Sequence, residues 1–279
     1  MARSRAPIVL VHGSWHGSWC WSAVEPLLAR AGRSPFAVDV EGHGLDPELP
    51  ASALARPFDA AAFATERSPH ADVTLASATA RLVAQIEAVG RPVVLVGHSL
   101  MGQLVTAAAQ AAPQLVERLV YICAFMPGSD VPAAAYVQSP ENEGELLGPL
   151  VVADPLEVGA VRLDVRSPDA AYRAGLREAL YADVPAAEAD GVIRLLSTDL
   201  PLGIPGGATE VTAEAWGSIP RTYVRCAADF AIRPALQSRF IAEADASFPE
   251  QPTNVVELDA SHSPFLSQPG RVAHAILEA

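Results

Sequence analysis

Lysine is absent: all 19 basic residues of this 279-residue chain are arginine. Schiff-base chemistry, a Ser-Lys dyad and a lysine-bearing phosphate loop are thereby excluded. Charge is scarce as well, at 18% of residues, and the balance is acidic, with a formal net charge of -13. Such a surface repels phosphate backbones and anionic lipid, which argues against nucleic acid or membrane and for a neutral or cationic small molecule as partner. Only three cysteines occur, Cys20, Cys123 and Cys226, far apart and at no ligand spacing to histidine, so they read as reduced structural thiols. Long apolar runs are missing too. The opening MARSRAPIVLVHGS is too short in apolar residues for a signal-peptide core, and no run reaches the length of a membrane helix. A cytoplasmic protein is expected.

What is present is core-forming material, since 50% of residues are hydrophobic. The length suits one large α/β domain with an insertion. Short β-rich runs at Ile8 to Val11, Phe36 to Val40, Val93 to Val96, Leu119 to Cys123, Thr222 to Cys226 and Val255 to Leu258 alternate with alanine-rich helical stretches. These include Ala76 to Val89 and Leu100 to Ala112, the latter ended by Pro113. The pattern predicts a mainly parallel sheet with helices on both faces. It breaks between Pro127 and Ser218, where proline- and glycine-rich stretches flank helical segments near Asp169 to Tyr181 and Ala186 to Ser197. Residues 127–218 therefore read as a cap on a core formed by 1–126 and 219–279.

The chemistry concentrates at Val93-Val94-Leu95-Val96-Gly97-His98-Ser99-Leu100-Met101-Gly102, a buried-strand run turning into a helix at a serine. A nucleophile elbow needs that context. Gly97 meets the upstream requirement for a small residue, whereas Met101 occupies the downstream position and Gly102 comes one residue late. Taken alone, a serine after a strand is more often a helix N-cap, and it is the partners of this one that favour the nucleophile. A nucleophilic hydroxyl needs a base, and the base needs a carboxylate to fix its tautomer. Of seven histidines, His262 lies just past the last strand and is the candidate base. His274 falls on a surface helix, His70 in a polar loop, and His98 adjoins the serine. Asp229, three residues beyond a strand, is the candidate acid, with Asp130 after the preceding strand as the alternative. The turn after the first strand, His12-Gly13-Ser14-Trp15-His16-Gly17, can aim the Ser14 amide, together with that of Leu100, at a developing alkoxide. At least two of Trp15, Trp19 and Trp21 read as core residues, and Asp39 to Gly44 reads as a structural turn without enough ligands for a metal.

At these residues the chain resembles the α/β-hydrolase family, in the branch of plant methyl esterases, hydroxynitrile lyases and related bacterial serine esterases. HGSWHGSWCW, DVEGHG, GHSLMG and the loops of Asp229 and His262 follow in the same order. The resemblance implies an α/β-hydrolase fold with a cap inserted after the sixth strand. It implies Ser99, Asp229 and His262 as catalytic triad, Ser14 and Leu100 as oxyanion hole, and Gly13, Trp15, His98 and Phe125 against the substrate. No metal or cofactor is called for. The lyases of this branch carry a threonine after the first-strand histidine and a lysine after the catalytic one; Gly13 and Ser263 stand there, so hydrolysis is preferred. The expected activity is cleavage of a small or medium apolar carboxylic ester, methyl ester or lactone, such as a secondary metabolite. The alternatives are a non-catalytic ligand-binding protein on this scaffold and a lyase or cofactor-free oxygenase; a homodimer is left open.

Overall fold

The computed structural model describes residues 6–45 and 48–279. Strands β1 (Ile8–Val11), β2 (Pro35–Val38), β3 (Val93–His98), β4 (Val116–Ile122), β7 (Arg221–Cys226) and β8 (Asn254–Leu258) form one sheet in the order β2-β1-β3-β4-β7-β8. Every neighbouring pair is parallel. Alternate residues of one strand serve opposite cores, as a period of two requires. Val9 and Val11 join one apolar cluster with Leu82, Ile86, Leu104 and Phe240. Ile8 and Leu10 join another with Leu28, Val272 and Ile276. Helices α2 (Leu75–Ala88), α3 (Gly102–Ala111) and α6 (Pro234–Ser247) therefore cover one face, and α1 (Glu25–Arg30) and α7 (Pro269–Glu278) the other. Thr74 and Ser77 close a reciprocal cap at the start of α2.

The boundaries shift for local reasons. The fourth strand starts earlier than expected and ends at Ile122, because Cys123 adopts φ +34°. The helix expected from Leu100 opens with a tight turn over Ser99–Met101, and α3 begins at Gly102. It ends at Ala111, since Ala112 precedes proline and takes ψ 62°. The long insertion leaves after the fourth strand in chain order rather than a sixth, because two of the six strands of this sheet follow it.

Residues 127–218 hold α4 (Ala170–Tyr181), α5 (Ala186–Ile193) and an antiparallel pair that the sequence patterns did not show, β5 (Ala160–Arg162) with β6 (Asp199–Pro201). The second helix stops at Ile193 instead of Ser197, where the chain bends so that the Ser197 N–H reaches the Trp15 carbonyl at 2.8 Å. Arg162 is fully buried. Its Nε and Nη2 each donate to Asp199 at 2.7 Å, and Nη1 donates to the carbonyls of Phe63 and Glu66 at 2.5 and 2.7 Å. The bidentate pair locks β5 to β6, and the two Nη1 bonds fasten that ladder to the segment before α2.

Candidate active site

Along the sheet the chain steps from β1 to β2 on one side and then to β3 on the other. The crevice at such a reversal, beyond the carboxyl ends of the strands, is where α/β sheets bind ligands. The β1–β3 register pairs Val11 with Gly97, which brings the turn after β1 beside Ser99. Ser99 itself has φ +56°, a strained conformation for a residue bearing a Cβ. Close packing maintains it. A Cβ on Gly97 would lie 2.7 Å from Val105 Cγ2, and one on Gly102 would lie 2.2 Å from the Phe125 carbonyl oxygen. Gly102 thus supplies the close approach that the elbow needs, one residue later than usual, while Met101 is free to be a fully buried core side chain.

His262 follows β8 and reaches across, its Nε2 lying 2.9 Å from Ser99 Oγ. Its Nδ1 lies 2.8 Å from Asp229 Oδ2. A carboxylate only accepts, so Nδ1 carries the proton and Nε2 is left to accept from the serine hydroxyl. Asp229 follows β7 and is held in turn: Oδ1 accepts from the amides of Ala231 and Ile232 at 2.7 and 2.9 Å, and Gln237 Nε2 approaches Oδ2 at 3.4 Å. Asp130, the alternative acid, sits on an exposed loop with φ +60°, its amide bound to the Thr209 carbonyl. Ser99, Asp229 and His262 expose 7%, 0% and 1% of their surfaces, so their mutual hydrogen bonds form out of reach of bulk water.

A profile of the alpha/beta hydrolase family matches residues 8–275. The chain belongs to that family. A pyrethroid hydrolase of Sphingobium wenxiniae is 29% identical, over 97% of this chain and 86% of the relative. Methylesterase 9 of Arabidopsis thaliana is 26% identical, over 97% and 96%. The crystal structure of a pyrethroid hydrolase from Sphingobium faniae JZ-2 superposes with a TM-score of 0.75 at 25% identity, covering 98% of this chain and 96% of that one.

In this α/β hydrolase the turn after β1 is wired by neutral histidines. His12 Nε2 accepts from the Val40 amide at 3.1 Å and its Nδ1 binds the Gly13 carbonyl at 2.7 Å. Burial, with the nearby His43, pushes its pKa down to about 3. His16 Nδ1 holds the Ser14 carbonyl at 2.8 Å, and burial lowers its pKa to about 3 as well. The Ser14 and Leu100 amides meet no protein acceptor among the described residues, which leaves both N–H groups available to a ligand. Gly13 is required for space: a Cβ there would lie 2.5 Å from His98 Nδ1 and 2.8 Å from Ser99 Cβ. Trp15, at φ +60°, is buried with its indole N–H on the Val161 carbonyl at 3.1 Å, and Phe125 packs on Phe240 while its amide binds the Ser99 carbonyl at 2.9 Å.

His98, expected against the substrate, instead lies behind the base. Its Nε2–H donates to the His262 carbonyl at 2.8 Å and its ring packs against His262 and Phe265. Burial keeps it neutral by lowering its pKa well below the usual value. Cys123 Sγ donates to the same carbonyl at 3.3 Å, and ligand atoms of His98, Cys123 and His262 fall within 4.8 Å of one another. Both His262 nitrogens are already committed to Ser99 and Asp229, so this cluster fits a hydrogen-bonded support better than a metal. Trp21 is fully buried and Trp15 nearly so, as core residues, while Trp19 is partly exposed. His274 is exposed on α7, and Asp39 forms a turn, accepting from the Ser18 and Leu45 amides at 2.6 and 3.3 Å. All three cysteines are free and buried. No helix among the described residues is long and apolar enough to cross a membrane.

Proposed function

We propose that this chain is a serine hydrolase that cleaves carboxylic esters through an acyl-enzyme on Ser99. The observation that carries the reading is the unbroken line from Ser99 Oγ through both nitrogens of His262 to Asp229, at 2.9 and 2.8 Å. Oγ attacks the ester carbonyl carbon as its proton passes to His262 Nε2, and the carbonyl oxygen takes the electron pair. The Ser14 and Leu100 amides receive that oxyanion; removing one such donor costs about 3 to 4 kcal/mol of transition-state stabilisation in comparable sites. Collapse expels the alkoxide, which takes the proton from His262, and water then repeats the sequence on the acyl carbon.

A neutral, largely apolar ester fits a chain of formal charge -13 in which the neighbours of Ser99 and Ser14, Leu100 and Trp15, and Phe125, whose amide binds the Ser99 carbonyl, are buried apolar residues. Relatives named pyrethroid hydrolase and methylesterase support the same substrate class. Residues 127–218 act as the cap over this site, since both the Trp15 carbonyl and its indole are bonded to them. The absence of lysine, with Ser263 after the base, weighs against cyanohydrin cleavage. The test is turnover of p-nitrophenyl esters of increasing acyl length, with methyl esters and lactones alongside, and fluorophosphonate labelling of Ser99. Ser99→Ala and His262→Ala should abolish turnover. Equal activity in wild type and Ser99→Ala would end the proposal.

A further inference from the structure

The loop that carries His262 is held from two sides. From the core, His98 and Cys123 bind the carbonyl of His262. From the insertion, Asp183 accepts the Ser261 amide at 3.1 Å, the Ser261 hydroxyl, and the Ser267 hydroxyl at 2.8 Å. Two residues earlier, the buried Tyr181 hydroxyl lies 2.8 Å from His16 Nε2. Because His16 Nδ1 holds the Ser14 carbonyl, its Nε2 is the acceptor and the tyrosine O–H the donor. One short stretch at the end of α4 therefore grips both the base-bearing loop and the turn that presents the Ser14 amide.

We propose that Asp183 and Tyr181 are positioning residues through which the docked insertion sets the placement of His262 and of the Ser14 amide. The proposal rests on the serine-hydrolase reading for its catalytic consequence, although the tether itself is a matter of structure. Ser261 is the residue before the base, so holding its amide fixes the Ala260–Ser261 peptide and holding its side chain fixes its Cα, one residue ahead of the Cα that carries the imidazole. A misplacement on the order of 1 Å in such a site can cost about 100-fold in rate. Asp183 is exposed at the surface, and its three bonds are charge-assisted, so their loss loosens the loop without opening the core.

The experiment compares wild type, Asp183→Ala, Asp183→Asn, Ser261→Ala, Tyr181→Phe and the Asp183→Ala/Ser261→Ala pair. It measures kcat and KM on a p-nitrophenyl ester, thermal midpoint, and amide hydrogen exchange over residues 258–268. Asp183→Ala should lower kcat about tenfold with KM held within about twofold, and Asp183→Asn should restore most of it, because the amide oxygen still accepts from the Ser261 N–H. The double variant should lose no more than Asp183→Ala alone. Tyr181→Phe should lower kcat without raising exchange over 258–268. Unchanged kcat in Asp183→Ala, or a fall that only tracks lost folded protein, overturns the catalytic consequence. If wild type fails to label with fluorophosphonate, the hydrolase reading falls, and exchange alone decides the tether: raised in Asp183→Ala supports it, unchanged overturns it.

Discussion

Mild acid should destabilise this protein steeply, and buried histidines are the reason. His12, His16 and His43 are each 1% exposed or less, and burial lowers their pKa values to about 3, about 3 and about 4. In the unfolded chain each titrates near 6.5. Between those limits the unfolded state binds protons that the native state refuses, so stability falls as pH falls. Their contribution is complete above about pH 6.5 and is lost progressively as pH drops toward 3 to 4. At pH 5.5 each group has lost about 1.4 kcal/mol relative to pH 7.5, or about 4 kcal/mol for the three. Against a total of about 5–15 kcal/mol for a typical domain, that is a large share. Urea unfolding followed by circular dichroism at pH 7.5, 6.5 and 5.5, at one ionic strength, measures it. The free energy should drop by at least about 4 kcal/mol across that range, since the buried His98, also held neutral, adds to the three, and replacing His43 by Gln should shrink the drop by about 1.4 kcal/mol. A stability that changes by less than about 1 kcal/mol between pH 7.5 and 5.5 would show that these rings protonate without unfolding.

Three further outcomes follow from packing and charge. Arg162→Ala leaves the buried Asp199 carboxylate without its partner and should cost about 3–5 kcal/mol, read by denaturant titration; the paired change Arg162→Met with Asp199→Leu should recover most of it, and equal losses in both variants would contradict the argument. Met101→Gly should lower stability by about 3–5 kcal/mol through the cavity left by a fully buried side chain, and a melting temperature within about 1 °C of wild type would mean that the site collapses without penalty. Gly13→Ala should fold but lose about 100-fold in kcat/KM, because its Cβ must push against the His98 ring and Ser99 Cβ; wild-type kinetics would remove the spatial requirement.

Much of this site could be read from the chain because its signals are local. The run into Ser99 declares a buried strand followed by a turn, and Asp229 and His262 each sit a few residues past a strand whose pattern is plain. The choice of Asp229 over Asp130 became a matter of geometry only when both strands could be seen side by side. The glycine shift at Met101 and Gly102 was visible but unexplained until Phe125 was found pressed against Gly102. Tyr181, His16 and Asp183 gave no comparable signal, because Tyr181 and His16 stand 165 residues apart and the partners of Asp183 lie 78 and 84 residues away, in contacts that no local period encodes. The β5–β6 pair escaped for another reason: its strands are three residues each, too short for alternation to register.

The left-handed backbone at Ser99 has a consequence for anyone selecting variants of this enzyme by abundance. A left-handed residue with a side chain carries on the order of 1–2 kcal/mol of unfavourable energy that glycine does not feel. Ser99→Gly should therefore be more robust than Ser99→Ala and rival the parent protein. A screen that scores yield alone would retain a genotype that has discarded its hydroxyl.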